Sequence, residues 1–306
     1  MKQVLLRLKR FCTNPAIRFS YLNELGLLKH MKDEDFLCRK FQLVLGRTLD
    51  LKHPTTFNEK LQWLKLYDRK PEYKMMVDKY AVRDYIKEKL GEEYLIPLIG
   101  VWENPDEIDF GVLPEQFVLK CNHNSGLGMC ICRDKSKLDI DKVRKELKKG
   151  LVQDYYLTGR EWPYKDVPRK IICEKYMSEG NGDIKDYKFL CFNGQVKAIL
   201  VCAERASKDG VKMTFFDTKW NVMPFKRSCP RIKEDITKPL KLDDMLMYAH
   251  KLAEGIPFVR VDFYEIEGKV YFGEITFYPA SGFSPFYPEE WDSILGSWIE
   301  LPIVKA

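Results

Sequence analysis

Two apolar stretches near the end of the chain carry charged residues in a pattern that suits chemistry. Arg260 and Asp262 alternate with apolar residues in the first stretch, and Glu274 stands in the second. Because successive side chains of a strand point to opposite faces, Arg260 and Asp262 share one face. Charges on strands this apolar are costly to bury unless they are paired or bind a metal. An arginine beside two carboxylates predicts a hard cation with phosphate next to it.

The register of the two stretches decides whether the carboxylates meet. Glu267-Gly268 is a hairpin signal between them. A strict two-residue turn would pair Asp262 with Gly273 and turn Glu274 to the opposite face. A three-residue loop, or one β-bulge, would set Asp262 opposite Glu274. The alternative to a site is a solvated outer face on which the two acids meet by chance.

A second candidate for chemistry is a glycine-containing loop at residues 122–128, which reads NHNSGLG and follows Lys120. Such a loop can bring backbone N–H groups against a phosphate, and the lysine adds a point charge. The spacing of a Walker A loop is absent. An ordinary hairpin loop with glycines is the alternative interpretation.

Composition sets the broad class. The 306 residues are 45% hydrophobic and 31% charged, which is typical of a folded protein with two or three lobes. Of the net charge of +6, most lies in the first 30 residues, so nucleic acid is not an expected partner. The nine cysteines include no Cys-x-x-Cys, which favours a reducing compartment. With no membrane-spanning apolar run and no convincing signal peptide, we expect a cytoplasmic protein.

The elements that must position these residues fall into two parts. The first 90 or so residues read as helices, among them a capping box at Thr56–Glu59 and one helix from 72 to 90 that Gly91 ends. From about residue 115 strands dominate, with few long helices. This order predicts an α+β fold rather than a doubly wound sheet.

The start of the chain has its own pattern. Residues 2–12 place apolar residues at helical spacing among basic ones. This favours a helix that rests on an anionic membrane face. The alternative is an ordinary helix packed on the protein body.

Together these features carry a resemblance. The chain resembles the ATP-grasp enzymes, and within them the TupA-like family, whose members are amidoligases of cell-surface polysaccharide synthesis. The matching segments run from about residue 56 to 301 and read TFNEKLQWLKLYD, DKYAVRDYI, FVLKCNHNSG, EKYM, DYKFLCFNGQ and RVDFYEIEGKVYFGEITFYPASG. The resemblance implies two α+β lobes that grip ATP. We expect a helical extension at 1–50, a helical first lobe at 51–112, a central lid lobe at 113–178 and a C-terminal lobe at 179–306.

The resemblance also implies roles for individual residues. ATP phosphates would be bound by Lys79, Lys120 and the lid-loop residues Ser125, Gly126 and Gly128. Adenine would meet the backbone of a hinge formed by Glu174, Lys175, Tyr176 and Met177. Magnesium would be bound by Asp262 and Glu274, with Thr276 beside them. Arg260 would lie near the transferred phosphoryl group, and Lys188 would have a phosphate or substrate role.

Two departures from the family pattern stand out. Many ATP-grasp enzymes have Glu-x-Asn at the metal strand, where this chain has Glu274-Ile275-Thr276. A hydroxyl in place of an amide oxygen is expected to hold a second magnesium more weakly. A Rossmann-like first domain is also not visible. Substrate binding would then fall to the helical N-terminus or to residues 278–288.

The expected function is an ATP- and Mg²⁺-dependent carboxylate–amine ligase. It would join a carboxylate and an amine through an acyl phosphate, on a sugar acid or an amino-acid or glycan precursor. One alternative is a glycosyltransferase, for which Asp139-Ile140-Asp141, in a Lys-rich stretch at the start of an expected helix, is a weak Asp-x-Asp candidate. Another is a catalytically inactive scaffold. Neither the oligomeric state nor the acid and amine can be read from the sequence.

Overall fold

The structure is a computed structural model that describes residues 11–178, 184–203, 211–232 and 235–303. The predicted helix at residues 2–12 lies almost wholly outside these ranges, so it stays a prediction. In the described part of the chain, no helix combines the length and the apolar character needed to cross a membrane.

Helices dominate the first third. They are α1 (Pro15–Glu24), α2 (Asp33–Leu45), α3 (Phe57–Tyr67), α4 (Glu72–Val77) and α5 (Val82–Lys89). Later helices are α6 (Ile140–Val152), α7 (Tyr156–Gly159), α8 (Leu242–Ala253) and α9 (Glu290–Ser297). Short 3₁₀ turns lie at Glu92–Tyr94, Pro105–Glu107, Lys135–Lys137, Trp162–Tyr164 and Pro279–Gly282.

Nine strands form two antiparallel sheets within the described ranges. The first holds β1 (Leu98–Trp102), β2 (Phe117–Cys121), β3 (Met129–Cys132) and β4 (Ile171–Lys175) in the order β1-β4-β2-β3. The second holds β5 (Asp186–Phe192), β6 (Gln195–Ala203), β7 (Lys212–Phe216), β8 (Phe258–Ile266) and β9 (Lys269–Thr276). Its order is β7-β6-β5-β8-β9, which places β8 between β5 and β9. The predicted α+β fold is confirmed.

Each sheet has its own hydrophobic core. Residues of β2 and β4 pack with α6 in the smaller core, whereas the larger core joins the five-stranded sheet to α3, α4, α5 and α8. A third cluster, with Phe19, Phe36 and Phe41, holds α1 and α2 against Phe283. The lobe boundaries stay a prediction, although β1 pairs with β4 and so belongs to the four-stranded sheet.

The capping box at Thr56–Glu59 is present, with both of its hydrogen bonds formed. The single helix expected from 72 to 90 is wrong, because the chain leaves the helix at Asp78 and resumes it at Val82. The Asp78 carboxylate accepts hydrogen bonds from the N–H groups of Tyr80 (2.8 Å) and Ala81 (3.3 Å). This is the competition with helix hydrogen bonding that aspartate favours. Lys79 therefore projects from the interruption rather than from a helix face.

The hairpin of β8 and β9 has the register that a site requires. Glu267 and Gly268 form a two-residue turn, both with positive φ (51° and 72°). A bulge next to Phe263 leaves Gly273 unpaired, so that Asp262 faces Glu274 directly. Of the two arrangements that the sequence analysis left open, a three-residue loop or one bulge, the hairpin has the bulge, and the two carboxylates share one face.

Candidate active site

Adjacent strands of the five-stranded sheet bring the charged residues into one row. Lys188 of β5 lies opposite Asp262 of β8, which in turn lies opposite Glu274 of β9. The neighbouring pair on the same face is Arg260 and Thr276. We call Lys188, Arg260, Asp262, Glu274 and Thr276 the β8–β9 cluster. Because every member sits on a paired strand, the backbone fixes their spacing.

One cationic nitrogen binds all three predicted metal ligands. Arg260 Nη2 donates to Asp262 Oδ2 at 2.7 Å, to Glu274 Oε1 at 2.6 Å and to Thr276 Oγ1 at 3.0 Å. Arg260 Nε also donates to Asp262 Oδ1 at 2.7 Å. The three oxygen atoms that are predicted metal ligands thus converge on Arg260 Nη2, a position that already carries positive charge.

Burial and charge set the acidities of this cluster. Burial raises the pKa of Asp262 to about 6, although Arg260 and Lys188 act in the opposite direction. Burial would also raise the pKa of Glu274, but Arg260, Lys188 and Lys79 outweigh it and hold this pKa well below its usual range. The Glu274 side chain keeps 39% of its surface exposed, so solvent screens part of that effect. The pKa values of Asp262 and Glu274 are therefore shifted in opposite directions although the two side chains face each other.

Lys188 connects two carboxylates on the inner side of the row. Its Nζ lies 2.6 Å from Asp186 Oδ2 and also forms an ion pair with Asp262. Burial and Arg260 would lower the pKa of Lys188, but the surrounding carboxylates raise it overall. Lys188 is therefore a buried cation held between two carboxylates, and its phosphate or substrate role stays a prediction.

A smaller cluster of charges lies on the four-stranded sheet. Lys120 Nζ on β2 lies 2.6 Å from Glu174 Oε2 on β4, and Arg83 of α5 approaches the other Glu174 oxygen at 3.5 Å. We call Arg83, Lys120 and Glu174 the β2–β4 cluster. The Glu174 side chain is only 10% exposed, so this predicted hinge residue uses its carboxylate within the protein.

Lys79 lies between the two clusters. It donates to the carbonyl oxygen of Asn124, and its backbone N–H donates to the carbonyl oxygen of Asn122 at 3.2 Å. Burial lowers the pKa of Lys79, with Glu274 opposing and Lys120 adding to the shift. Lys79 therefore contacts the predicted lid loop and lies near charges of both clusters.

The predicted lid loop has an anchored part and a free part. Asn122 is buried and donates to Asp78 Oδ1 at 2.7 Å, and Asn124 donates to the Gly150 carbonyl at 3.2 Å. Gly128 has φ +70°, and a Cβ there would lie 2.8 Å from the Gly150 Cα, so only glycine fits. Ser125 and Gly126, between these anchors, are exposed and available to a ligand.

The hinge residues border a cavity of about 430 Å³ between the sheets. Lys120, Glu174, Lys175, Tyr176 and Met177 line it, together with the apolar side chains of Val118, Met129 and Ile131. Tyr264 of β8 closes it from the other sheet, two residues from Asp262. A cavity with apolar walls and a few polar residues has the composition of a small-molecule site.

Three residues that the sequence analysis did not select lie close to the site. Lys65 of α3 is fully buried and donates to the carbonyls of Gly159 and Ser281, each at 2.8 Å. Glu161 is also buried, and burial raises its pKa. Arg227 is held over Phe286 at 4.5 Å, and its charge interacts with that of Arg260. No local motif marks any of them, since each acquires its neighbours only through tertiary folding.

The donor set fits magnesium. Among the described residues no group of three or more His, Cys, Asp or Glu side chains could hold a metal alone. Magnesium is usually bound by one or two carboxylates together with substrate phosphates, which is what Asp262 and Glu274 can offer. The position of Arg260 Nη2, among three oxygens, shows that these donors can surround a cation.

A sequence model of the TupA-like ATP-grasp family matches residues 59–300, and the chain belongs to this family. The match confirms the predicted family and the ATP-grasp fold. A search of curated proteins finds no match.

Several solved structures are similar to this chain at low identity. The D-alanine–D-alanine ligase of Bacillus anthracis, solved with ATP, has 17% identity and a TM-score of 0.39, covering 66% of this chain and 55% of that one. The enzyme of Helicobacter pylori has 14% identity and a TM-score of 0.41, covering 80% and 69%. The ATP-grasp ligase PsnB, solved with a precursor variant, Mg and ADP, has 10% identity and a TM-score of 0.40, covering 82% and 64%. This chain therefore spans about half the length of the first of these ligases.

Proposed function

We propose that this protein is an ATP- and Mg²⁺-dependent ligase that joins a carboxylate to an amine through an acyl phosphate. Its substrates would be a sugar acid, or an amino-acid or glycan precursor, in cell-surface polysaccharide synthesis. The pathway assignment comes from the family resemblance, whereas the chemistry is supported by the two charged clusters.

The observation that carries the proposal is a charge imbalance of opposite sign on the two sheets. The β8–β9 cluster with Asp186 has three carboxylates and two cations, Lys188 and Arg260. The β2–β4 cluster has two cations and one carboxylate, and Lys79 adds a further cation between the clusters. One side favours an added cation and the other an added anion, which is the requirement for a magnesium-bound polyphosphate.

Each part of ATP has a proposed position. The base would occupy the cavity at Glu174–Met177, and the phosphates would meet Lys79, Lys120 and the loop residues Ser125, Gly126 and Gly128. Asp262 and Glu274 would bind Mg²⁺, with the Thr276 hydroxyl as the weaker third donor. When bound, the metal would neutralise charge on the phosphate oxygens.

The chain's own groups would then act by position and charge. Arg260, displaced from the carboxylates, would turn to the transferred phosphoryl group, and Lys188 would keep Asp262 oriented. The substrate carboxylate attacks the terminal phosphorus and ADP leaves, after which the amine displaces phosphate from the acyl carbon. Such transfer needs orientation and neutralisation rather than a nucleophilic side chain.

ADP release over a matrix of paired acids and amines tests the function directly. The expected result is release that requires Mg²⁺, one acid and one amine together. Thermal shift separates the alternatives, since Mg²⁺-dependent stabilisation by ATP supports the ligase. Stabilisation by a nucleotide sugar alone would instead support a glycosyltransferase, and stabilisation by neither would support an inactive scaffold. The segment Asp139-Ile140-Asp141 gives the glycosyltransferase no support, because the Asp139 side chain caps α6 by accepting from the Lys142 N–H at 3.0 Å.

A further inference from the structure

The break between α4 and α5 is packed on the strand that carries Glu274. Val77, at the end of α4, and Val82, at the start of α5, are buried in the larger core with the five-stranded sheet. Both line a narrow gap together with Glu274 of β9, and Lys79 lines the same gap. The residues on either side of the break are therefore held next to a predicted magnesium ligand.

The break itself is bonded to the lid loop, which follows β2 of the four-stranded sheet. Asp78 is only 5% exposed, and its Oδ1 accepts from Asn122 Nδ2 at 2.7 Å. The Lys79 N–H donates to the carbonyl oxygen of Asn122 at 3.2 Å, and Lys79 Nζ donates to the carbonyl oxygen of Asn124. Side-chain and backbone bonds thus join a segment packed on one sheet to a loop of the other. We call the bonded pair of side chains the Asp78–Asn122 clamp.

Asn122 is itself fixed by a third segment of the chain. It is fully buried, and its side-chain nitrogen donates to the carbonyl oxygen of Pro168 at 2.8 Å as well as to Asp78. Its Oδ1 accepts from the Lys170 N–H at 2.7 Å, directly before β4 begins. Because both the nitrogen and the oxygen of this buried amide are bonded, the side chain has one orientation. Asn122 therefore holds Asp78 in a fixed place relative to the four-stranded sheet.

Capping explains only part of the hydrogen bonding of Asp78. Its carboxylate also accepts from the N–H groups of Tyr80 and Ala81, which caps the turn before α5. A serine hydroxyl could cap such a turn, because serine and aspartate are both good capping residues. The serine oxygen lies one bond nearer the backbone, however, so serine would draw the acceptor away from Asn122. The bond to Asn122 is therefore a feature beyond the cap.

We propose that Asp78 and Asn122 are positioning residues for ATP. The Asp78–Asn122 clamp joins the segment packed on β9 to the lid loop, and so holds the Lys79 ammonium group between the magnesium ligands and that loop. Lys79 is the group that would touch phosphate, and the clamp acts through it. A small misplacement of such a group is costly. This inference rests on the proposed function, because it explains how one of the phosphate-binding residues is placed.

Binding of Mg²⁺·ATP, measured by calorimetry, tests the clamp without knowledge of the acid and the amine. The full chain is compared with Asp78→Ser, which keeps the cap, and with Asn122→Asp, which sets two carboxylates against each other. Lys79→Met and the double variant Asp78→Ser/Lys79→Met complete the set. Asp68→Ser is the matched control, because Asp68 is also buried (7% exposed) and also accepts a side-chain hydrogen bond, from the Tyr73 hydroxyl at 2.9 Å.

We expect Lys79→Met to weaken ATP binding about tenfold, the scale for losing one charge-assisted hydrogen bond, and either clamp variant to weaken it about fivefold. The double variant should bind no more weakly than Lys79→Met alone, because the clamp acts through that lysine. Asp68→Ser should bind ATP as the full chain does. A double variant about 50-fold weaker than the full chain, the product of the two single effects, would overturn the inference. So would clamp variants that bind ATP as tightly as the control.

Hydrogen exchange without nucleotide separates this inference from the proposed function. Both clamp variants should exchange faster than the full chain at the Lys79 N–H and across residues 122–128, whereas Asp68→Ser should not. If Asn122→Asp does not fold, as its melting curve would show, Asp78→Ser and its double variant decide the question. A full chain that does not bind Mg²⁺·ATP would refute the proposed function, and with it a role of the clamp in ATP binding. ATP binding by the full chain, with unchanged exchange in the clamp variants, would overturn the inference alone.

Discussion

The β8–β9 and β2–β4 clusters face the same cleft but differ in construction. In the first, oxygen donors on hydrogen-bonded neighbouring strands surround Arg260, and Asp262 is almost fully buried, with 1% of its side chain exposed. In the second, on the four-stranded sheet, the side chain of Lys120 is 21% exposed and reaches one carboxylate, that of Glu174 on the paired strand β4. A magnesium site needs fixed oxygen positions, whereas a lysine can reach a phosphate from several rotamers. The difference predicts that substitutions in the two clusters fail in different ways.

The largest effect is expected from the carboxylates of the β8–β9 cluster. Asp262→Asn or Glu274→Gln should reduce Mg²⁺-dependent ATP turnover by about 100-fold or more, the scale for losing one preorganised electrostatic group. Turnover is measured as ADP release at saturating ATP. Glu265→Gln is the control, since Glu265 is on the same strand but on the opposite face, where its carboxylate accepts from the Leu240 N–H at 3.2 Å.

Near-normal turnover in both carboxylate variants would contradict the assignment of Asp262 and Glu274 as magnesium ligands. Unfolding in urea must accompany the assay, because either substitution leaves Arg260 with less negative charge around it. A loss of turnover with an intact unfolding transition separates catalysis from folding.

The pH dependence of the free energy of unfolding tests how strongly the charged residues of the β8–β9 cluster interact. The Asp262 pKa is about 6 in the native state, above the usual value of an aspartate. Between about pH 4 and 6 the native protein therefore holds a proton that the unfolded chain has released. Stability from this group must fall as pH rises through that window. The lowered pKa of Glu274 acts the other way, but only below its own ordinary value.

Asp262→Asn cannot titrate, so it isolates this contribution. From pH 4.5 to 6.5, without nucleotide or metal, the wild-type free energy of unfolding should fall relative to the variant by roughly 2 kcal/mol. Urea unfolding at the two pH values measures the difference. A change of opposite sign would show that Arg260 and Lys188 keep Asp262 ionised throughout, as in an ordinary buried ion pair.

What the sequence could predict depended on how local the cause was. The bulge of the β8–β9 hairpin follows from a two-residue turn and the need to keep both acids on one face, and it is present. The capping box at Thr56–Glu59 is equally local and is also confirmed. By contrast, the helical pattern runs through Asp78, and nothing nearby in sequence shows that Asn122 will bind its carboxylate at 2.7 Å. The break itself has a local cause in the hydrogen bonds that the Asp78 carboxylate accepts from the N–H groups of Tyr80 and Ala81, but the contacts that hold Lys79 are long-range.

The same limit applies to the candidate site. The sequence selected Asp262, Glu274 and Thr276, and folding brings all three around Arg260. It did not select Lys65, whose position in an amphipathic helix resembles that of any solvated lysine, yet which folding buries completely. The role of a lysine in a helical pattern can be judged only when the groups that neutralise its charge or accept its hydrogen bonds are known. The chemical roles of all these residues stay predictions.

The smallest effect is expected from the β2–β4 cluster. Lys120→Met should raise the KM for ATP about tenfold, since one charge-assisted contact to phosphate contributes roughly 1.5 kcal/mol, and should change kcat much less. Glu174→Gln should lower the KM for ATP, because Lys120 would lose the carboxylate that lies 2.6 Å away and would be freer to reach the ATP phosphates. Lys142→Met, at an exposed lysine of α6 in the same lobe, is the control. Initial rates over a range of ATP concentrations separate KM from kcat. The β8–β9 cluster is proposed to bind the metal and the β2–β4 cluster to bind phosphate. A Lys120→Met variant with a 100-fold lower kcat and an unchanged KM would contradict this assignment, even if the carboxylate variants behave as expected.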